Sequence, residues 1–170
     1  DFSALTSQGP MASGVPGTVR GLQAAHARYG SLPWNALLQP AITLAEKGFA
    51  VPPSLAAMAR DKVRQTVGLT NFADTFGPLA EVDVFAQPEL AQTLRRIAQD
   101  PEDFYQGETA RKISAQMQAS GGIITLEDLA QYRAVWRTPL QYYWRGYQVL
   151  TAPPPSSGGV ALLQLLGMTD

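Results

Sequence analysis

The sequence predicts an α+β chain that is predominantly helical, with a few late strands. Three observations predict it. Apolar residues recur at three- and four-residue spacing through most of the chain, the period of one helix face. Pro and Gly stand where those stretches start and stop. From Tyr132 onward the texture changes to Tyr, Trp, Val and Thr separated by Arg and Gln, which suits strands. At 170 residues, with 45% hydrophobic and 16% charged, the chain has the make-up of a packed globule. We expect a single partial domain over 1–170.

Pro16 stands at a first helical position, and Val19, Leu22, His26 and Tyr29 follow at helical spacing until Gly30. Ser31 is a candidate cap for a second helix, with Pro33 near its start. Trp34, Leu37, Ala41 and Ala45 lie along one face of that helix, Gly48 closes it, and Pro40 is expected to divide it into two pieces. Pro52-Pro53 opens a third helix, whose stripe of Leu55, Ala59 and Val63 lies opposite Arg60, Lys62 and Arg64.

Residues 66–86 read as a variable loop region. From Gly68 to Gln87 no period persists, and a loop with at most a short strand is expected. Gln87-Pro88-Glu89 then starts a helix through Leu90, Leu94 and Ile97. It carries acid in the first turn and Arg95-Arg96 later, as the helix dipole favours. Another helix passes through Ala110, Ile113 and Met117 to Gly121-Gly122. Thr125, followed three residues later by Asp128, forms a capping-box pattern.

Beyond Tyr132 two or three strands are expected, with Pro139 and Gly146 as punctuation and 147–150 as the clearest of them. The rigid run 153–159, Pro-Pro-Pro-Ser-Ser-Gly-Gly, leads into a final apolar helix from Val160 to about Met168. That helix is still apolar where the chain stops. The expectation is therefore that it continues or packs against something outside this stretch.

Composition excludes several classes of function. Thirteen basic and 14 acidic residues leave a formal net charge of -1, so no overall positive field attracts nucleic acid or an anionic membrane. Without cysteine there is no disulfide, thiol catalysis or thiolate-bound zinc. The apolar run at 160–166 falls far short of the roughly 20 residues of a spanning helix, so no membrane span is expected. Asp1-Phe2-Ser3-Ala4 lacks the pattern of an export signal.

The residues that might carry chemistry each have a structural reading. His26 is the only histidine and has no acid or serine in a recognised relation to it, so a structural role is favoured. One histidine and no Ca²⁺-loop pattern leave no metal site, and none is expected. Glu102-Asp103 and Glu127-Asp128 are paired acids, which can run acid/base chemistry. At helix starts such pairs more often serve the dipole. Ser156-Ser157-Gly158-Gly159 offers backbone N–H groups at a helix start, either as turn and cap or facing a substrate anion, but the P-loop lysine is missing. Trp136, Tyr142, Tyr143, Trp144 and Tyr147, interleaved with Arg133, Arg137 and Arg145, form a pattern that can stack bases. With an acidic net charge they are assigned to a sheet core.

Several motifs in one order give the chain a resemblance. Residues 12–19, Ala-Ser-Gly-Val-Pro-Gly-Thr-Val, precede Tyr29-Gly30-Ser31-Leu32-Pro33-Trp34. Then come Pro40-Ala41-Ile42 with Ala45-Glu46-Lys47-Gly48-Phe49, Gln87-Pro88-Glu89-Leu90-Ala91, and Phe104-Tyr105-Gln106-Gly107. Gly121-Gly122-Ile123-Ile124-Thr125 with Asp128-Leu129, Tyr132, and Arg145-Gly146-Tyr147 follow, and the run 153–159 is the most distinctive. Together they resemble an internal stretch of the large subunit of γ-glutamyltransferases (γ-glutamyltranspeptidases), from about Gly9 to Met168. Residues 68–86 carry little of the likeness.

The resemblance implies part of an Ntn-hydrolase αββα sandwich and an autoproteolytic precursor. Its partner would be a small subunit whose N-terminal threonine attacks γ-glutamyl amides such as glutathione. Water or an amino acid or peptide acceptor would then take the γ-glutamyl group, without a cofactor. The family's Thr-Thr-His segment is absent here, and its substrate-carboxylate arginine and paired small-subunit serines lie outside this stretch. No catalytic, substrate-binding or metal residue is carried over, and Ser156-Ser157 are not those serines. The resemblance implies a chain that is inactive alone and a periplasmic or secreted location. The alternative is a non-catalytic helical binding or scaffold module.

Overall fold

In the computed structural model, residues 6–7, 9–66, 68, 71–80 and 82–169 are described, and contacts gather into two units, Asp1–Ala134 and Val135–Asp170. Helix α1 (Thr18–Tyr29) begins after Gly17, two residues later than Pro16 suggested, and Gly30 ends it by donating its N–H to His26 O at 2.7 Å. Any side chain at Gly30 would collide with the His26 ring, which is why glycine closes this turn.

Helix α2 (Trp34–Lys47) corrects two expectations. Its cap position is Pro33, whose extended conformation sets the entry and whose carbonyl accepts from Ala36 and Leu37, so Ser31 does not cap it. The helix also runs unbroken through Pro40. An interior proline costs about 3 kcal/mol, and packing along α5 (Pro88–Gln99) on both sides of it outweighs that cost. Trp34 Nε1 donates to Ile97 O at 2.8 Å before the proline, and Ile42 and Ala45 are buried after it. Gly48, at φ 78°, occupies a left-handed conformation hard against the Phe85 carbonyl, so glycine is required there on both counts.

Strand β1 (Phe49–Ala50) pairs antiparallel with β2 (Val84–Phe85), and α3 (Pro53–Thr66) buries Ala59 from the predicted stripe. Within the stretch 68–87, where a loop with at most a short strand is expected, the described residues form more regular structure. They hold α4 (Phe72–Phe76) and a 3-10 turn (Pro78–Ala80) before β2. A five-residue helix is too short to show a period. It is held instead by Phe72 and Phe76, one turn apart with ring centroids 4.7 Å from each other, and by the burial of Leu79 and Phe85 beside Ala59.

Helix α5 buries Ile97 from the predicted stripe and half-buries Leu94, but at its start Ala91 is buried and Leu90 is exposed. Helix α6 (Asp103–Gln106) leads through Gly107 into α7 (Glu108–Ser120). That helix stops at Gly121 (φ 77°), with Gly122 N–H donating to Met117 O at 2.7 Å. Helix α8 (Leu126–Gln131) starts with the predicted capping box. Asp128 N–H donates to Thr125 Oγ1 at 3.1 Å, and Thr125 N–H donates back to Asp128 at 2.9 Å. Ala110, Ile124 and Leu129 form the core here, with Val15, Ile113 and Met117 packed on it.

In the unit Val135–Asp170, β3 (Leu140–Trp144) and β4 (Tyr147–Thr151) form an antiparallel hairpin. Its two-residue turn puts Arg145 (φ 47°) and Gly146 (φ 85°) in the left-handed region, as hairpin twist demands. Two strands are present, and residues 132–139 form none. Helix α9 (Ser157–Gly167) begins three residues before Val160 and packs on β3. Gly159 is buried against the Ala152 carbonyl, which leaves no room for a side chain.

The predominantly helical α+β reading stands, but the assignment of the late aromatics to a sheet core does not. Tyr142 and Trp144 are half-buried, whereas Trp136, Tyr143 and Tyr147 are exposed. A two-stranded sheet covered by one helix has one inner face only, and alternation sends every second side chain outward.

Candidate functional site

The main polar centre of the unit Asp1–Ala134 is built by α1, α6 and the end of α8. Its middle is Tyr105, fully buried on the single turn of α6. The hydroxyl works in both directions, donating to Pro16 O and accepting from Arg20 N–H, each at 2.9 Å. Tyr132, just after α8, stacks on the Tyr105 ring with centroids 6.0 Å apart and planes 6° from parallel. Burial pushes the Tyr105 hydroxyl above its ordinary pKa, so it stays protonated and neutral.

Arg20 lies over the same ring, its guanidinium carbon 4.3 Å from the centroid. Its two Nη groups donate as a fork to Glu102, one of them to Oε2 at 3.1 Å, and Nη1 also donates to Gln23 Oε1 at 3.0 Å. The hydrogen bond from Arg20 holds Glu102 below its usual pKa, with Gln23 and Gln106 assisting against the opposing effect of desolvation. The pair ties α1 to the start of α6.

Asp103 is committed one residue later. Its carboxylate accepts the N–H groups of Glu108 (2.8 Å) and Thr109 (3.3 Å), the Thr109 hydroxyl and Arg96 Nε (3.3 Å), so it caps α7 through its side chain. Desolvation opposes its charge, but these hydrogen bonds outweigh that and lower its pKa. Adjacent carboxylates thus end in different partners, and neither is left as a free base.

The remaining residues singled out in the sequence are placed as follows. His26 Nε2 bonds Leu32 O at 2.7 Å, and its ring meets Trp34 edge-on at 5.4 Å, which fastens the turn between α1 and α2. Asp128 serves the capping box, and Glu127 accepts from Gln131 at 2.8 Å. In the second unit Ser156 makes no side-chain cap bond, and the bond between Pro154 and Pro155 is cis. Arg133 donates to the carbonyls of Ala130 and Tyr132, and Arg145 donates to Thr169 O and lies over the Trp144 ring. The described residues hold no group of three or more His, Asp or Glu arranged for a metal.

Sequence reasoning did not find the Arg20, Glu102, Tyr105 and Tyr132 cluster. Arg20 and Tyr105 are 85 positions apart, and no local period links them. The available signal was that Tyr105 and Tyr132 both fall inside the motifs quoted above.

The chain spans about 30% of the length of the curated relatives it matches. It is 50% identical over 98% of its length to the glutathione hydrolase proenzyme of Pseudomonas aeruginosa, covering 30% of that protein. It is 42% identical over 98% to the glutathione hydrolase proenzyme of Escherichia coli K12, again covering 30%. The solved gamma-glutamyltranspeptidase of Pseudomonas nitroreducens, in complex with L-DON, superposes with a TM-score of 0.92 at 50% identity, over 97% of this chain and 50% of that one. The sequence model of the gamma-glutamyltranspeptidase family matches residues 2–170, and the chain belongs to that family.

Proposed function

We propose that this chain is a structural part of an enzyme that cleaves γ-glutamyl amides such as glutathione. The enzyme passes the γ-glutamyl group to water or to the amine of an amino acid or peptide. The observation that carries this reading is 50% identity to a glutathione hydrolase proenzyme over 98% of the chain.

On this reading the nucleophile is the N-terminal threonine of a second polypeptide, released when a common precursor cuts itself. Its hydroxyl oxygen adds to the γ-carbonyl carbon while its own α-amine takes the hydroxyl proton. Preorganised donors hold the oxyanion, and collapse breaks the C–N bond as the proton passes to the departing amine. The resulting γ-glutamyl ester is resolved by water or an acceptor amine, which restores the threonine.

This chain supplies none of those groups and is inactive alone. The geometry supports that role, since Arg20, Glu102, Asp103 and Tyr105 are all bonded to one another or to the backbone. Exposed apolar side chains on α9, including Leu162, Leu165 and Met168 just beyond it, support its packing against further protein. Both units belong on this reading to one larger catalytic domain. A periplasmic or secreted location rests on the family resemblance.

Native mass spectrometry with N-terminal sequencing, on protein isolated from its source, tests the proposal alongside release of p-nitroaniline from γ-glutamyl-p-nitroanilide. The expected result is a second bound polypeptide beginning with threonine, together with activity. A species made of this chain alone, without γ-glutamyl transfer, would show a helical binding module instead.

A further inference from the structure

An apolar hollow of about 630 Å³ opens between α3 and the segment 72–85. Its floor is the core cluster of Ala59, Leu79 and Phe85, against which Leu55 and Phe76 pack. Phe49 and Phe76 stand 6.2 and 6.3 Å from Phe85, and Phe72 stacks on Phe76, so the walls are largely ring faces and edges. Protein cores leave few voids larger than a water molecule. A hollow of this size with such walls falls in the range of small-ligand sites, roughly 300–1,000 Å³.

Among the described residues that line the hollow, two carry charge, and one of them is uncommitted. Asp61 and Lys62 both line the hollow, and the Asp61 carboxylate is held by Arg64. The ion pairs among the described residues join Arg20 to Glu102, Arg64 to Asp61, Arg95 to Glu46, Arg96 to Asp103 and Glu108, and Lys112 to Glu108. Lys62 is in none of them. One ammonium beside an apolar cleft complements an amphipathic monoanion, and the neighbouring Asp61 disfavours a head group of higher charge.

We propose that this hollow binds a medium-chain alkyl carboxylate, its tail among the phenylalanines and its carboxylate at Lys62. The site is independent of the γ-glutamyl-transfer reading, because the residues that line it belong to α3, α4, the 3-10 turn and the β1–β2 neighbourhood rather than to the Tyr105 centre.

Isothermal titration of the intact protein with octanoate and with octanol, below their aggregation limits, tests the proposal. The expected result is saturable binding of both, with Lys62→Gln weakening octanoate about fivefold, as for a lost exposed ion pair, and leaving octanol unchanged. Met58 lines the hollow and is exposed, so Met58→Glu leaves the fold intact and weakens both ligands by about tenfold or more. Absence of saturable octanoate binding overturns the proposal. An unchanged octanoate affinity in Lys62→Gln overturns the assigned head-group contact, and unchanged affinities in Met58→Glu place the binding elsewhere and overturn the site.

Discussion

Two regions rich in tyrosine treat it in opposite ways. Around α6, Tyr105 is wholly buried, stacked on Tyr132, covered by Arg20 and bonded through both roles of its hydroxyl. On the β3–β4 hairpin, Tyr143 and Tyr147 are 69% and 70% exposed. A buried tyrosine hydroxyl needs polar partners within reach, and the first region supplies them from α1 and the Pro16 carbonyl. The hairpin has one covered face, so half its aromatics stay outside whatever their apolar area. The number of surrounding elements decides the fate of the ring.

The largest effect that would break this contrast is at Tyr105 itself. Tyr105→Ala should cost ~3–5 kcal/mol, the loss for a deleted core aromatic, read as a fall in the urea midpoint of the intact protein. Tyr105→Phe keeps the ring but strands the Pro16 carbonyl and the Arg20 N–H, and should cost ~1–3 kcal/mol. If the two variants are equally stable, the hydroxyl bonds account for the burial and the stack contributes little.

In the second unit, Gly159→Ala drives a methyl group into the Ala152 carbonyl and should cost ~1–3 kcal/mol by overpacking, measured the same way. Tyr143→Ser, on the exposed face of the hairpin, should change stability by no more than ~0.5 kcal/mol in this chain alone. A larger loss in the intact protein would show that further protein covers that face.

Acid sharpens the comparison in a third way. The folded-state pKa of Glu102 lies below its ordinary value of 4.5, because Arg20 favours the charged form. Its contribution to stability is therefore full above that value and is lost as pH falls through the lower folded value. Urea midpoints recorded from about pH 6 to about pH 3 should fall less steeply in Glu102→Gln than in the wild type. Equal slopes would mean that the Arg20 fork contributes nothing to acid stability.

Legibility in the sequence followed the range of each interaction. The Thr125–Asp128 capping box, the glycine stops at Gly30, Gly48 and Gly121, and the α3 stripe through Ala59 depend on residues a few positions apart, and all were readable. Pro40 was misjudged because its local penalty is overridden by packing on α5, far along the chain. Helix α4 was hidden because five residues carry no period. The polar centre joins residues tens of positions apart, so only the three-dimensional fold reveals that Glu102 and Asp103 are engaged by different partners. The family was legible because its motifs survive as short local strings.

The chain belongs to the gamma-glutamyltranspeptidase family, and the proposed function puts the nucleophile of γ-glutamyl transfer outside it. Quenching the intact protein with acid during turnover of γ-glutamyl-p-nitroanilide, followed by peptide mapping, tests it most directly. The account predicts a γ-glutamyl adduct on an N-terminal threonine outside residues 1–170. An adduct on a residue within 1–170, or protein that turns over no γ-glutamyl substrate, would contradict it.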